Sequence, residues 1–182
     1  MSEDFLAVVE AKRFLGREFL TWLVHRIEEG DGGVAHEGVV TELQLGDRVV
    51  LAGARDERLT VVGAGDMRAE IGAGLQRGKL IDRARLVLVR GERRWELTLD
   101  GGLLAYEAVR CPPLGPRDAA QQEDPRAALE NDLFLRVADL EDALGVLDRL
   151  FADFCRVRGA TAWQAATLPA LRAWVEGLRC QV

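Results

Sequence analysis

The chain has little of what hydrolytic and metal-dependent enzymes use. Its 182 residues include one serine, Ser2, and two histidines, His25 and His36, neither of which lies near a recognisable nucleophile motif. The three cysteines lack the paired CxxC spacing of a zinc site. The sequence therefore predicts a non-catalytic protein with no metal and no cofactor. We expect free, reduced thiols at the three cysteines, which are Cys111, Cys155 and Cys180.

Long apolar runs are also missing. No stretch approaches the ~18 apolar residues that span a bilayer, and residues 1–4 are acidic where a secretory signal is basic. We therefore expect a cytoplasmic protein that does not contact membranes. The net charge of −6 argues against a protein that coats nucleic acid with its whole surface, because phosphate binding needs many cations. It leaves room for one local basic face.

Hydrophobic periodicity predicts an α+β fold in a single domain over residues 1–182. Residues 4–28 form a helical pattern, 34–110 a series of short β segments, 111–124 a connector and 125–180 a helical tail. Short turns between the β segments favour antiparallel pairing. We predict a mainly antiparallel sheet of about six strands, packed by the N-terminal helix and two C-terminal helices.

The first helix has one apolar face, with Arg17, Thr21 and His25 on the opposite side. Gly16 lies near the centre of the apolar face, where glycine costs roughly 1 kcal/mol relative to alanine. We therefore expect Gly16 to permit the close approach of another element. Phe14 projects onto the polar side, so either a second element covers that side or Phe14 belongs to a partner interface.

Two glycine-containing segments allow local predictions. Residues 39–45 and 48–52 alternate in polarity around Gly46-Asp47, which predicts a hairpin with its turn there. Residues 66–78 fit either a short helix or a loop. The Gly78-Lys79 pair is typical of a phosphate-binding loop, but Leu80 stands where a serine or threonine would bind magnesium, so a simple turn is the better interpretation.

The helix after Asp124-Pro125, a typical cap and first helical position, has apolar residues at alternating spacings of four and three. They are Leu133, Val137, Leu140, Leu144, Leu147, Phe151 and Phe154. This spacing is typical of a coiled-coil seam. Further apolar residues widen the stripe to roughly half of the helix circumference, which favours core packing against a sheet and other helices over a partner zipper.

The segment from Arg77 to Arg94 is strongly basic: seven cations and two carboxylates give it a local charge of +5. On a strand, Lys79, Arg83 and Arg85 would share one face, which could contact DNA phosphates without reading bases. The alternative is a solvated face whose arginines pair with Glu42, Glu57 or Glu96 across the sheet. The candidate nucleic-acid-binding residues are Arg77, Lys79, Arg83, Arg85, Arg93 and Arg94.

Residues 14–23 (FLGREFLTWL), residues 91–100 (GERRWELTLD) and the helical tail resemble the C-terminal half of the recombination-associated protein RdgC family, in particular its shorter, divergent bacterial members. The resemblance covers roughly residues 10–178. It implies a non-catalytic accessory protein that binds duplex DNA non-specifically, assembles as a dimer and acts in recombination or DNA maintenance. The alternative is a protein–protein adaptor that has lost DNA binding, with Phe14 and any exposed part of the leucine-rich helix as its anchors.

Overall fold

A computed structural model describes residues 14–55, 57–63, 67–115 and 124–178 of the chain. Its helices are α1 (Phe14–Glu28), α2 (Arg68–Gln76), α3 (Pro125–Gly159) and α4 (Leu168–Gly177). Its strands are β1 (Gly33–His36), β2 (Val39–Ala52), β3 (Arg58–Val62), β4 (Leu80–Arg90), β5 (Arg93–Asp100) and β6 (Ala105–Arg110). A π-helical turn, Trp163–Thr167, leads into α4. The predicted α+β class is confirmed, and the ambiguous segment 66–78 contains the short helix α2.

The six strands form one antiparallel sheet in the order β1-β2-β4-β5-β6, with β3 paired to the second half of β2. The predicted hairpin within residues 39–52 is wrong, because β2 is one continuous strand. A register shift between Leu45 and Val49 accommodates the intervening residues while both halves of β2 stay paired with β4. Gly46 serves close packing here: a Cβ on it would lie 2.9 Å from Cγ of Arg85.

The sheet has one apolar face and one charged face, as expected from the two-residue period of a strand. The apolar inner face carries α1, α2 and α3, and α4 packs on α1 and α2. Strand residues that join the helices in the core are Leu43, Val49, Leu51, Ala84, Leu86, Leu88, Trp95, Leu97 and Leu99. The outer face presents charged and polar side chains from the alternate positions, including Glu42, Gln44, Arg85, Arg94 and Glu96.

Helix α1 is covered on both sides: other elements pack on the side that carries Arg17, Thr21 and His25, which was one of the two predicted alternatives. Arg17 forms an ion pair with buried Asp82 at 2.5 Å. The Thr21 hydroxyl donates to the Arg17 carbonyl and accepts the N–H of Ile81 at 3.1 Å. The His25 ring packs edge-on against Trp174 of α4. These contacts place the polar side of α1 against β4 and α4.

Gly16 acts as the sequence predicts. It lies against the β5–β6 turn, where a Cβ on Gly101 would be only 2.8 Å from the Gly16 carbonyl oxygen. Two glycines thus allow the backbones of α1 and the turn to touch. The side chain of Phe14 lies outside the described residues.

Helix α3 behaves differently along its 35 residues. Its C-terminal half is in the core through Ala143, Val146, Leu147, Leu150 and Phe154. Near its middle, α3 is held to the β4–β5 hairpin: the Asp139 carbonyl accepts from the Trp95 indole at 3.0 Å, and the Asp139 carboxylate pairs with Arg93. At its start, the Asp124 side chain accepts backbone N–H groups, which confirms the predicted cap.

Candidate interaction surfaces

The arginines of β4 and β5 on the outer face are engaged by carboxylates of the same chain. Arg83 pairs with Asp100 at 2.5 Å and with Glu107 at 3.4 Å. Arg85 and Arg94 share Glu96, at 2.5 and 3.1 Å. The pairing of arginines with Glu96 across the sheet, which was the alternative to a free basic strip, is therefore present.

This network perturbs the titration of its members. Hydrogen bonds from Arg85 and then Arg94 lower the pKa of Glu96, and the bond to Glu96 together with the charge of Asp47 raises the pKa of Arg85. Both shifts favour the charged forms. The network therefore keeps opposite charges next to each other at neutral pH.

The remaining cations of the basic segment lie elsewhere. Arg93 turns to the inner face, where it pairs with Asp139 and stacks on Trp95. Lys79 precedes β4, lines a cavity beside α4 and donates to the Glu57 carbonyl at 2.9 Å. The predicted common face of Lys79, Arg83 and Arg85 is wrong for Lys79, because a register shift between Val50 and Leu51 interrupts the alternation. 

Arg77 follows α2 and is exposed. Within the part of the chain that the structure describes, it forms no ion pair. Of the six predicted nucleic-acid-binding residues, the structure thus brings only Arg83, Arg85 and Arg94 together on one face.

The N-terminal half of α3 exposes a run of large apolar side chains, which we call the exposed α3 strip. The exposed fractions are 60% for Leu129, 58% for Leu133, 75% for Phe134, 45% for Leu135 and 53% for Val137. Core packing was predicted for Leu133 and Val137, and that prediction is wrong for both. The alternating spacing of four and three indicated a helix–helix interface for these residues. The broad apolar stripe in the C-terminal half of α3 favoured core packing for the whole helix instead.

Two cavities flank α4. One, of about 480 Å³, lies between α1, α2 and α4, and its apolar wall includes Leu75, Trp163 and Leu171. Two of its polar groups already have partners within the chain. Glu18 accepts a hydrogen bond from Arg158 at 2.8 Å, and Lys79 donates to the Glu57 carbonyl.

The second cavity, of about 650 Å³, contains His25, Glu28 and Trp174. Burial lowers the pKa of His25, while the charge of Glu29 opposes this, so the site favours the neutral imidazole. Neither lining includes a serine or a cysteine that His25 could activate. Among the described residues, no three His, Cys, Asp or Glu side chains are grouped so that they could hold a metal ion.

No helix in the described ranges is both long and apolar enough to cross a bilayer. No protein-family model matches the chain, and no characterised protein is significantly similar to it in sequence.

Proposed function

We propose that this chain is a non-catalytic protein-interaction module, and that its binding surface is the exposed α3 strip. The observation that carries the proposal is the placement of five large apolar side chains, within nine residues of one helix, in solvent. At about 100° per residue, Leu129, Leu133, Val137 and Phe134 lie within roughly 140° of one another, whereas Leu135 lies on the other side of the helix. Contiguous apolar patches on soluble proteins mark interaction sites more often than isolated apolar residues do.

The energetics support an anchoring role for the strip. Full burial of one leucine, valine or phenylalanine side chain contributes about 1.5–3 kcal/mol. The helix that presents these side chains is already ordered, since Asp124 caps it and Asp139 fixes its middle to the sheet. A partner would therefore bind a preformed surface and lose less conformational entropy on association.

The double variant Leu133→Asp/Val137→Asp tests this function. We expect the wild-type protein, mixed with extract of its source cells, to elute in an assembly larger than its monomer mass of 20.1 kDa. The double variant should elute at the monomer mass, because two buried carboxylates would oppose association.

The control is Leu103→Asp, which places one new carboxylate, where the double variant adds two, at a side chain 68% exposed in the β5–β6 turn. This control should keep the assembly. Unchanged assembly in the double variant, or wild-type protein that stays at the monomer mass in extract, would contradict the proposed function.

Non-specific binding of duplex DNA, as the RdgC resemblance implies, is the second candidate. The observations that favour it are exposed guanidinium groups at Arg77, at Arg94 (55% exposed) and at Arg110 (73% exposed). Binding would require arginines to exchange carboxylate partners for phosphates, and Glu96 and Glu107 on the same face would repel the backbone.

A gel-shift titration with random duplex DNA at increasing salt tests this second candidate. Four to six phosphate contacts give a log–log slope of about −4 to −5. Arg94→Gln should reduce the slope by roughly 1, whereas Arg156→Gln on α3 should leave it unchanged. Absence of binding at about 50 mM salt would rule out DNA binding by the isolated chain.

A further inference from the structure

We infer that the exposed α3 strip pairs with the same strip of a second copy of this chain, and that the two helices run antiparallel. This inference rests on the proposed function, because it names the partner of the same surface. It predicts a two-fold symmetric dimer in which each copy contributes the same residues to the interface.

The helical positions of the strip suit pairing with another helix. At about 100° per residue, Leu129, Leu133 and Val137 lie within roughly 80° of one another and form a single ridge. Phe134 flanks the ridge on one side. The ridge continues towards the core through Leu140 and Leu144, both half-buried, at the alternating four and three spacing of a helix–helix seam.

The charges around the ridge fix the orientation. Arg126 lies before the strip and Glu141 after it; both are exposed, and at about 100° per residue they lie within roughly 60° of each other around the helix. Within its own chain Arg126 pairs with exposed Glu130 at 3.2 Å, so in a dimer it would contact Glu141 of the second copy from the end of the ridge. The midpoint of Arg126 and Glu141 falls between Leu133 and Phe134, which is also the centre of the strip. A two-fold axis there superposes the apolar ridges and places each Arg126 opposite the Glu141 of the other copy.

A parallel pair would not have this property. It would bring Arg126 next to Arg126 and Glu141 next to Glu141, which is unfavourable at both ends. It would also align the two helix dipoles in the same direction, whereas antiparallel helices place opposite partial charges side by side. Charge complementarity therefore selects the antiparallel second copy as the occupant of the strip.

Charge reversal and its rescue test this arrangement by sedimentation equilibrium of the purified chain. Arg126→Glu and Glu141→Arg should each weaken the dimer about tenfold at low salt, because each change creates two repulsive contacts in a symmetric interface. The double variant Arg126→Glu/Glu141→Arg should recover affinity to within about threefold of wild type.

Two features keep this test specific. Glutamate at position 126 lies in the first turn of α3, where negative charge stabilises the helix, and this offsets the loss of the exposed Arg126–Glu130 ion pair. Arg156→Glu, in the other half of α3 and 75% exposed, is the matched control and should leave the dimer unchanged. Circular dichroism should show the same helix content for all variants.

The outcomes separate this inference from the proposed function. A wild-type chain that is monomeric at about 100 μM would overturn self-pairing, while the extract experiment with Leu133→Asp/Val137→Asp would still decide whether the strip binds another protein. A dimer that Leu133→Asp disrupts but that shows no rescue in the double charge variant would overturn the antiparallel register.

Discussion

At the scale of single residues, Thr21 shows how one hydroxyl joins two elements. It accepts the N–H of Ile81, which is fully buried, at a point where β4 departs from regular alternation. The pattern of α1 predicts only that Thr21 is polar and lies opposite the apolar face. The irregularity in β4 that requires an acceptor depends on the pairing of distant strands, so the sequence does not reveal this role.

Thr21→Val should therefore destabilise the protein by about 1–3 kcal/mol, because the Ile81 N–H would stay buried without an acceptor while the side-chain volume hardly changes. Urea unfolding followed by circular dichroism measures the difference. Thr60→Val on exposed β3 is the control and should change stability by less than about 0.5 kcal/mol. Equal effects of the two changes would contradict the role assigned to Thr21.

For Gly16→Ala, the contacts in the structure and helix propensity predict changes in stability of opposite sign. Propensity alone predicts that Gly16→Ala gains about 1 kcal/mol. The new Cβ would overlap the carbonyl oxygen of Gly101, a backbone atom that cannot move freely, so we expect a loss of about 1–3 kcal/mol. Gly159→Ala, where a Cβ meets no atom within 4 Å, should be neutral or slightly stabilising in the same thermal unfolding measurement.

At the scale of elements, the outer sheet face is organised around Glu96. Arg85 and Arg94 both bind its carboxylate, and they lower its pKa. The sequence allowed this pairing as one of two alternatives, because cross-strand neighbours depend on register. The register of β4 and β5 decides it by placing Arg85 opposite Thr98, one position along the same face from Glu96.

The lowered pKa of Glu96 makes its contribution to stability pH-dependent. The carboxylate stabilises the folded state at pH values above about 4.3, its value in an unfolded chain, and this contribution is lost as the pH falls through the lower folded-state pKa. Glu96→Gln should cost about 1 kcal/mol at pH 7. The difference from wild type should shrink towards pH 3, as measured by urea unfolding.

Glu92→Gln is the control for this pH series. Glu92 is exposed in the β4–β5 turn and has no ion pair to another described residue. Its substitution should leave the stability difference small at every pH. A gap between wild type and Glu96→Gln that stays constant from pH 7 to pH 3 would contradict the assigned role of the carboxylate.

Helix α3 is an element that the sequence predicts only in part. Its start, its cap and its apolar stripe follow from residue types and spacing. Its division into a core half and an exposed half does not, because Asp139 sets the boundary through Trp95 and Arg93 of a distant hairpin. The same stripe therefore packs inside the domain at Phe154 and faces solvent at Leu133.

At the scale of the whole molecule, an acidic chain with a basic segment suggests a separated positive surface. Folding instead distributes the arginines of that segment among carboxylates on both faces of the sheet. Among the described residues, five of the exposed large apolar side chains lie within nine residues of α3, at the exposed α3 strip. We therefore expect hydrophobic association at the strip to supply most of the binding free energy and charged residues to set the orientation.

Hydrogen exchange of the α3 backbone at two protein concentrations tests the pairing most directly. Residues 129–138 should exchange slowly at about 200 μM and faster at about 1 μM, because dissociation exposes that half of the helix, whereas residues 143–154 in the core should exchange equally slowly at both concentrations. Exchange of residues 129–138 that is rapid and identical at the two concentrations would contradict an α3–α3 dimer.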